Sequence, residues 1–179
     1  MSDATLIPVF ITLGSNLDPA RNLRWAAGLL ADQAGVERAS RVYESIPLGP
    51  DGAPLDQPAY LNAAVLVRVR ADVPPDVFKF RVLRAIEASL GRQRTADKYA
   101  ARPIDLDIAL YGDIVLEDSE HNLTLPDPEI LTRAHVALPL ADLDAGFVHP
   151  VNGETLGAIA ARFAGAAGIR VVEGFGLLG

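Results

Sequence analysis

Apolar and polar residues alternate along this chain with a period that changes several times, and each change marks an element. Residues 9–13 form a short β-rich run that stops at Gly14. Asp18-Pro19 then opens a helix, with Asp18 at the N-cap and Pro19 at the first helical position. Leu23, Ala26, Ala27 and Leu30 follow at helical spacing, and Gly35 lies just past the end. Residues 36–45 read as a second strand and residues 60–69 as a third, its antiparallel partner. Between them, residues 46–58 (IPLGPDGAPLDQP) hold too much Pro and Gly for regular structure and form a long loop. A second helix opens at Pro74-Pro75-Asp76 and runs to Leu90, with Phe80, Leu83 and Leu90 as its apolar stripe and Gly91 as its stop.

Residues 92–102 show no clear period and read as another loop, leading into RPIDLDIALYG (residues 102–112) as the fourth strand. Residues 113–135 read as irregular, with a short strand pair at 114–116 and 123–125. A third helix is expected over 155–163, a last strand over 169–172 and a loose tail at GFGLLG. The order β-α-β-β-α-β plus a C-terminal extension predicts an α+β fold of the ferredoxin-like type, an antiparallel sheet with two helices on one face. No internal repeat or linker divides residues 1–179, which predicts a single domain.

Composition narrows the setting. Half of the 179 residues are hydrophobic, enough for a sizeable core. With no cysteine, disulfides and thiolate metal sites are excluded, which suits a cytoplasmic location. The start lacks the basic n-region of a signal peptide, and no apolar run approaches the roughly 20 residues of a spanning helix. A formal charge of -7 offers no broad field for nucleic acid, so any anion site must be a local cluster. The expected partners are small molecules, with neither nucleic acid nor membrane involved, and the expected state is a monomer.

Candidate chemistry starts in the fourth strand. Asp105 and Asp107 stand two apart, so both carboxylates leave the same face, while Ile104, Leu106 and Ile108 share the other and meet the helices. Two adjacent carboxylates repel, and a hard divalent cation relieves this well. The spacing alone fits a solvated face as readily as a metal clamp. The preceding loop favours the clamp: RQRTADKYAAR carries Arg92, Arg94, Lys98 and Arg102 against the single acid Asp97. Cations facing a metal across anionic oxygens are what phosphoryl transfer requires. Glu87 lies on the core-facing stripe of its helix and needs a partner there, which the nearby arginines can supply. On the third strand Tyr60 and Asn62 share a face, and a ring beside a carboxamide suits a flat heteroaromatic. Gly14 to Asn16 (GSN) carries little signal beyond a tight turn.

Taken together, GSNL (14–17), YESIPLG (43–49), DQPAYLNA (56–63), EASLGRQR (87–94), RPIDLDIALYG (102–112), LTLPDP (123–128) and Arg133 with LPL (138–140) resemble the 6-hydroxymethyl-7,8-dihydropterin pyrophosphokinase family. The matches run in the family's order over most of residues 9–150. The resemblance implies transfer of a pyrophosphoryl group from ATP to the hydroxymethyl group of a reduced pterin in folate biosynthesis, on a ferredoxin-like fold. It implies that Asp105 and Asp107 hold two Mg²⁺ ions and that Arg92 and Arg102 contact phosphates from a mobile catalytic loop. Ser45, Leu48, Tyr60, Asn62 and His135 would surround the pterin. Glu87, Arg94, Tyr99, Asp127 and Arg133 would line the ATP side, with Asn16 a further polar residue of the site. The chain departs from the family pattern at Asp127, where a histidine is usual, at Thr95 for a lysine, at Tyr99 for a tryptophan, at Ala100-Ala101 for Gly-Pro and at His135 for a phenylalanine. Two other readings remain open at this point: a palm-type two-metal phosphotransferase or cyclase, which has no need of Tyr60 and Asn62, and a non-catalytic relative that binds a pterin or nucleotide.

Overall fold

The computed structural model describes residues 5–49, 51–93 and 100–178. Its centre is an antiparallel sheet built on two long strands, β1 (Leu6–Ser15) and β4 (Tyr60–Arg70). Strand β5 (Asp105–Tyr111) pairs with the free edge of β1. The other edge of β4 takes two short strands in succession, β2 (Val36–Ala39) and β3 (Tyr43–Ser45), and β8 (Ile169–Val171) adds to β3. The expected second strand is thus two pieces. Ser40 interrupts it: its N–H donates to Ala64 O and its Oγ accepts from Ala64 N, so the chain stays tied to β4 through the break.

One face of the sheet is closed along its whole length. Val9, Ile11 and Leu13 from β1 pack with Leu106 and Ile108 from β5, under α1 (Pro19–Ala34) and α3 (Arg84–Ser89). The helix after β4 is not regular. It runs as α2 (Pro75–Phe78), a π-helical turn (Lys79–Leu83) and then α3. The wider turn shifts the register of side chains. Phe78, Leu83 and Ile86 face the core, whereas Phe80, expected on the stripe, is 47% exposed. Asp18 does stand at the N-cap of α1, but in the left-handed region at φ 44, and its side chain caps nothing; Pro19 still sets the helix start.

The second face is covered by later segments of the chain, beyond the two helices expected on the first. There α4 (Ala134–Leu143) and α5 (Leu156–Ala161) cover Phe10, Ala64, Leu66 and Leu110. Each large apolar side chain buried in this way contributes roughly 1.5–3 kcal/mol. The sequence pattern does not announce α4, because Pro139 sits inside it and because it is apolar nearly all round, which hides the helical period. A bulge at Ala109 lets β5 serve both faces. Phe10 pairs with Leu110 and Ile11 with Ile108, so Ala109 has no partner and the facing of the strand changes there. Before the bulge Asp105 and Asp107 face the α4 side; after it Leu110 does, while Tyr111 turns into the other core. Nor is the tail loose: Leu177 is buried at 4% exposure against the first core.

Candidate active site

Helix α4 covers only half of its face, and a cavity of about 1050 Å³ opens over the other half. Register explains its floor. Asn62, Gly14 and Asp105 lie side by side across β4, β1 and β5, and Ala64, Thr12 and Asp107 form the next row. Small residues at Gly14 and Ala64 keep the middle of the floor low between the polar groups that flank it. The walls come from the loop after β3, from β7 (Leu123–Leu125), which pairs with β6 (Leu116–Asp118), from the short 3-10 turn at Pro128–Leu131 and from the start of α4.

Of the residues singled out by sequence, Ser45, Leu48, Tyr60, Asn62, Arg102, Asp105, Asp107, Asp127, Arg133 and His135 all line this one cavity. At its β3–β4 end, Asn62 is buried and its Nδ2 donates to Ser45 Oγ at 2.8 Å and to Tyr43 O at 3.3 Å. That directs Oδ1 towards Gly14 and the floor. The Tyr60 hydroxyl lies within electrostatic reach of the Arg102 guanidinium. His135 is half-buried; burial pushes its pKa below the ordinary value, which favours a neutral ring suited to stacking.

The carboxylates differ in company. Asp105 meets Arg102 Nη1 and, at 3.7 Å, Arg92 Nη2. No hydrogen bond from another described residue reaches the Asp107 carboxylate. Burial, and then the Asp105 charge beside it, push Asp107 up to about 6. Asp127 is likewise pushed up to about 6 by burial, even though it accepts Glu129 N at 2.8 Å as the N-cap of the 3-10 turn. Among the described residues no cluster of three or more metal-ligating side chains forms. The observation bearing on a cation is Asp107 itself, a half-buried carboxylate whose neighbour raises the cost of its charge.

Three predicted residues stand outside the lining and act on it from behind. Glu87 is buried beneath β5, where Oε1 accepts Leu106 N at 2.9 Å and Oε2 accepts Arg84 Nη1 at 2.6 Å. It therefore pins the backbone between the two aspartates. Asn16 is buried as well; its Oδ1 accepts Arg102 N at 2.8 Å, and its Nδ2 reaches Gln57 Oε1 and Pro58 O. It ties the end of one loop to the end of the other. Arg92 Nε is buried without a hydrogen-bond partner among the described residues, a donor in reserve for an anion. Arg94 and Tyr99, together with Thr95 and Lys98, lie outside the described residues.

Sequence reading passed over Lys79, Asn122, Thr124 and Glu129, which also line the cavity. Lys79 is only 4% exposed; its Nζ donates to Asn122 O at 2.7 Å and His121 O at 3.2 Å, and burial lowers its pKa. Lys79 shares the inward face of Leu83 and Ile86 at ordinary helical spacing, but a lysine at the head of an apolar stripe gives no sign of a polar cavity beyond it.

Residues 10–145 match the family model described as 7,8-dihydro-6-hydroxymethylpterin-pyrophosphokinase (HPPK). The chain is similar to the 2-amino-4-hydroxy-6-hydroxymethyldihydropteridine pyrophosphokinase of Synechocystis sp., 39% identical over 149 residues, covering 82% of this chain and 71% of the relative. With the enzyme of that name from Haemophilus influenzae it shares 31% identity over 162 residues, 89% of this chain and 94% of the relative. It also resembles part of the folate synthesis bifunctional protein of Arabidopsis thaliana, at 34% identity over 145 residues, 80% of this chain but 28% of that protein. Among solved structures, Plasmodium falciparum HPPK-DHPS with pteroate superposes with a TM-score of 0.65 at 15% identity, over 91% of this chain and 44% of that one. The chain spans under half of that solved chain, and the likeness there is one of fold.

Proposed function

We infer that this chain, which belongs to the 7,8-dihydro-6-hydroxymethylpterin-pyrophosphokinase family, transfers a pyrophosphoryl group from ATP to the hydroxymethyl group of 6-hydroxymethyl-7,8-dihydropterin, giving AMP. One observation carries the reading to this cavity. The Tyr60–Asn62 end suited to a flat heteroaromatic and the Asp105–Asp107 pair suited to charged phosphates share one floor. The strand order β5-β1-β4-β3, with α1 and α3 on one face, supports the ferredoxin-like reading of the sheet, with α4, α5 and β8 as its C-terminal extension. A formal charge of -7 supports small molecules over nucleic acid as cargo. The lack of cysteine supports a reducing, cytoplasmic setting. No helix among the described residues is long and apolar enough to cross a membrane.

The roles follow from position. Asn62 Oδ1 accepts from a ring N–H of the pterin, Tyr60 and His135 flank its faces, and Ser45 and Leu48 close the side. ATP occupies the end walled by Thr124, Asp127 and Arg133. The pterin hydroxyl oxygen attacks the β-phosphorus, the bond from that phosphorus to the α–β bridging oxygen breaks, AMP leaves, and the hydroxyl proton passes to solvent. Arg92 and Arg102 offset charge on the phosphates, and the buried Arg92 Nε gains its missing acceptor there. Asp105 and Asp107 are the residues that would hold Mg²⁺, and their crowding fits a divalent cation. When bound, the metal would neutralise phosphate oxygens and ease loss of the hydroxyl proton. The test is AMP release from ATP with and without the hydroxymethyl dihydropterin. Pterin-dependent AMP is expected; AMP formed equally without pterin, or none with it, refutes the reading.

A further inference from the structure

We propose that the C-terminal segment 166–178, which lies beyond the family match ending at residue 145, is a positioning strap for the pterin side of the cavity. The proposal rests on the reading of the Ser45–Tyr60–Asn62 end as the pterin end. Strand β3 is only three residues long and leads straight into the long loop that carries Leu48. On one side it pairs with β4, Tyr43 with Asn62 and Ser45 with Tyr60. On the other it pairs with β8, Tyr43 with Val171 and Ser45 with Ile169. Two further hydrogen bonds bracket that second pairing, Val172 N to Val42 O at 2.8 Å and Ile46 N to Gly168 O at 3.0 Å. The strap therefore holds residues 42–46, including the first residue of the loop. A strand this short with a single partner is marginal, so β8 decides where Ser45 sits and hence where its partner Asn62 Nδ2 is held.

The strap is itself anchored. Leu177 is buried in the core under α1, Arg24 Nε donates to Gly176 O at 3.2 Å, and the Arg24 guanidinium lies 4.2 Å from the Phe175 ring centroid. At its near end the strap touches the loop: a Cβ on Gly168 would stand in ordinary van der Waals contact, 3.5 Å from Ile46 Cδ1, and Gly168 has φ +77, a conformation side chains rarely adopt. Beside it is a small cavity of about 210 Å³ that shares Ser45, Ile46, Leu48, Arg133 and His135 with the main one. One layer of side chains thus separates Ala167 and Gly168 from the substrate. A shift in the strap reaches the pterin wall directly, and of the residues assigned to the ATP end the small cavity touches only Arg133.

The tail supplies its own control. Gly174 has φ +71, almost the value at Gly168, but among the described residues nothing lies within 4 Å of the Cβ it would gain. In the full-length enzyme, Gly168→Val is expected to raise KM for the pterin about tenfold while leaving kcat and KM for ATP within about twofold, because a misplacement near 1 Å suffices for such a loss. Gly174→Val, with equal backbone strain, is expected to lower the melting temperature without moving either KM. Ala167→Leu fills the small cavity instead of straining the backbone and covers the case in which Gly168→Val fails to fold; it is expected to raise pterin KM about threefold. Unchanged pterin KM in both Gly168→Val and Ala167→Leu overturns the strap, as does a rise in both KM values together or an equal effect from Gly174→Val. Tyr60→Ala separates the two levels of the argument. If it leaves pterin KM unchanged, the site reading fails and the proposal with it; if it raises pterin KM and the strap variants do not, only the strap falls.

Discussion

The two ends of the cavity are made of different material. The β3–β4 end is sheet: Tyr60 and Asn62 stand on a central strand paired on both sides, and Asn62 is locked to Ser45 and Tyr43. The far end is turns, with Asn122 and Thr124 beside β7, Asp127 capping a 3-10 turn, and Lys79 holding two carbonyls from a π-helical turn. A flat substrate with fixed donors and acceptors is matched by rigid strand side chains, since neither end of the hydrogen bond has to be ordered on binding. Phosphates need charge more than register, and turns with free polar groups supply it. The difference teaches that substitutions at the first end should act through fit and those at the second through charge.

The largest effect belongs to the pair between the ends. Asp107→Ala should lower kcat of pterin-dependent AMP release by at least about a thousandfold, as removal of a charge-stabilising group does; normal turnover would remove the pair from the chemistry. Asn62→Ala tests fit. It leaves Ser45 Oγ without its donor and the pterin without Oδ1, and KM for pterin should rise about a hundredfold with KM for ATP little changed. A parallel rise in both would erase the distinction between the ends. Lys79→Met tests the turn end. It takes the donor from two carbonyls of the 121–122 turn, and KM for ATP should rise about tenfold by steady-state kinetics while pterin affinity holds.

Asp127→Asn gives the smallest and most revealing change. Asparagine keeps the capping oxygen that Glu129 N uses, so only the charge is lost. Because the folded pKa is raised from 3.8 to about 6, the charged carboxylate costs stability above pH 6, and that cost vanishes below pH 3.8. Thermal denaturation of the metal-free protein should therefore show Asp127→Asn stabilised by about 1–2 kcal/mol at pH 8 and level with the parent at pH 3.5. KM for ATP at pH 8 should fall a few-fold, about 1 kcal/mol at most, from relief of repulsion. A stabilisation independent of pH would mean that the charge is not what the site resists.

Legibility followed the same division. Asp105 and Asp107 were readable because a strand's period of two is strict, and the apolar Leu106 between them fixed which face was which. Tyr60 and Asn62 were readable for that reason too. Glu87 was recognisable as a buried acid from its place in the helix, but not as the acceptor of Leu106 N, since that bond joins residues 19 apart in sequence. Lys79 was hidden because a lysine in a helix reads as a solvated charge, and α4 by Pro139.

The sequence by itself determined the strands, the facing of their side chains and the clustering of cations before β5, because these depend on local period and composition. Only the tertiary structure decided that α4 stops halfway across its face, that the bulge at Ala109 divides β5 into a polar and an apolar half, and that β8 returns to brace β3. Those are pairings between distant segments, set by which surfaces are left to bury once the local elements have formed, and no local pattern encodes them.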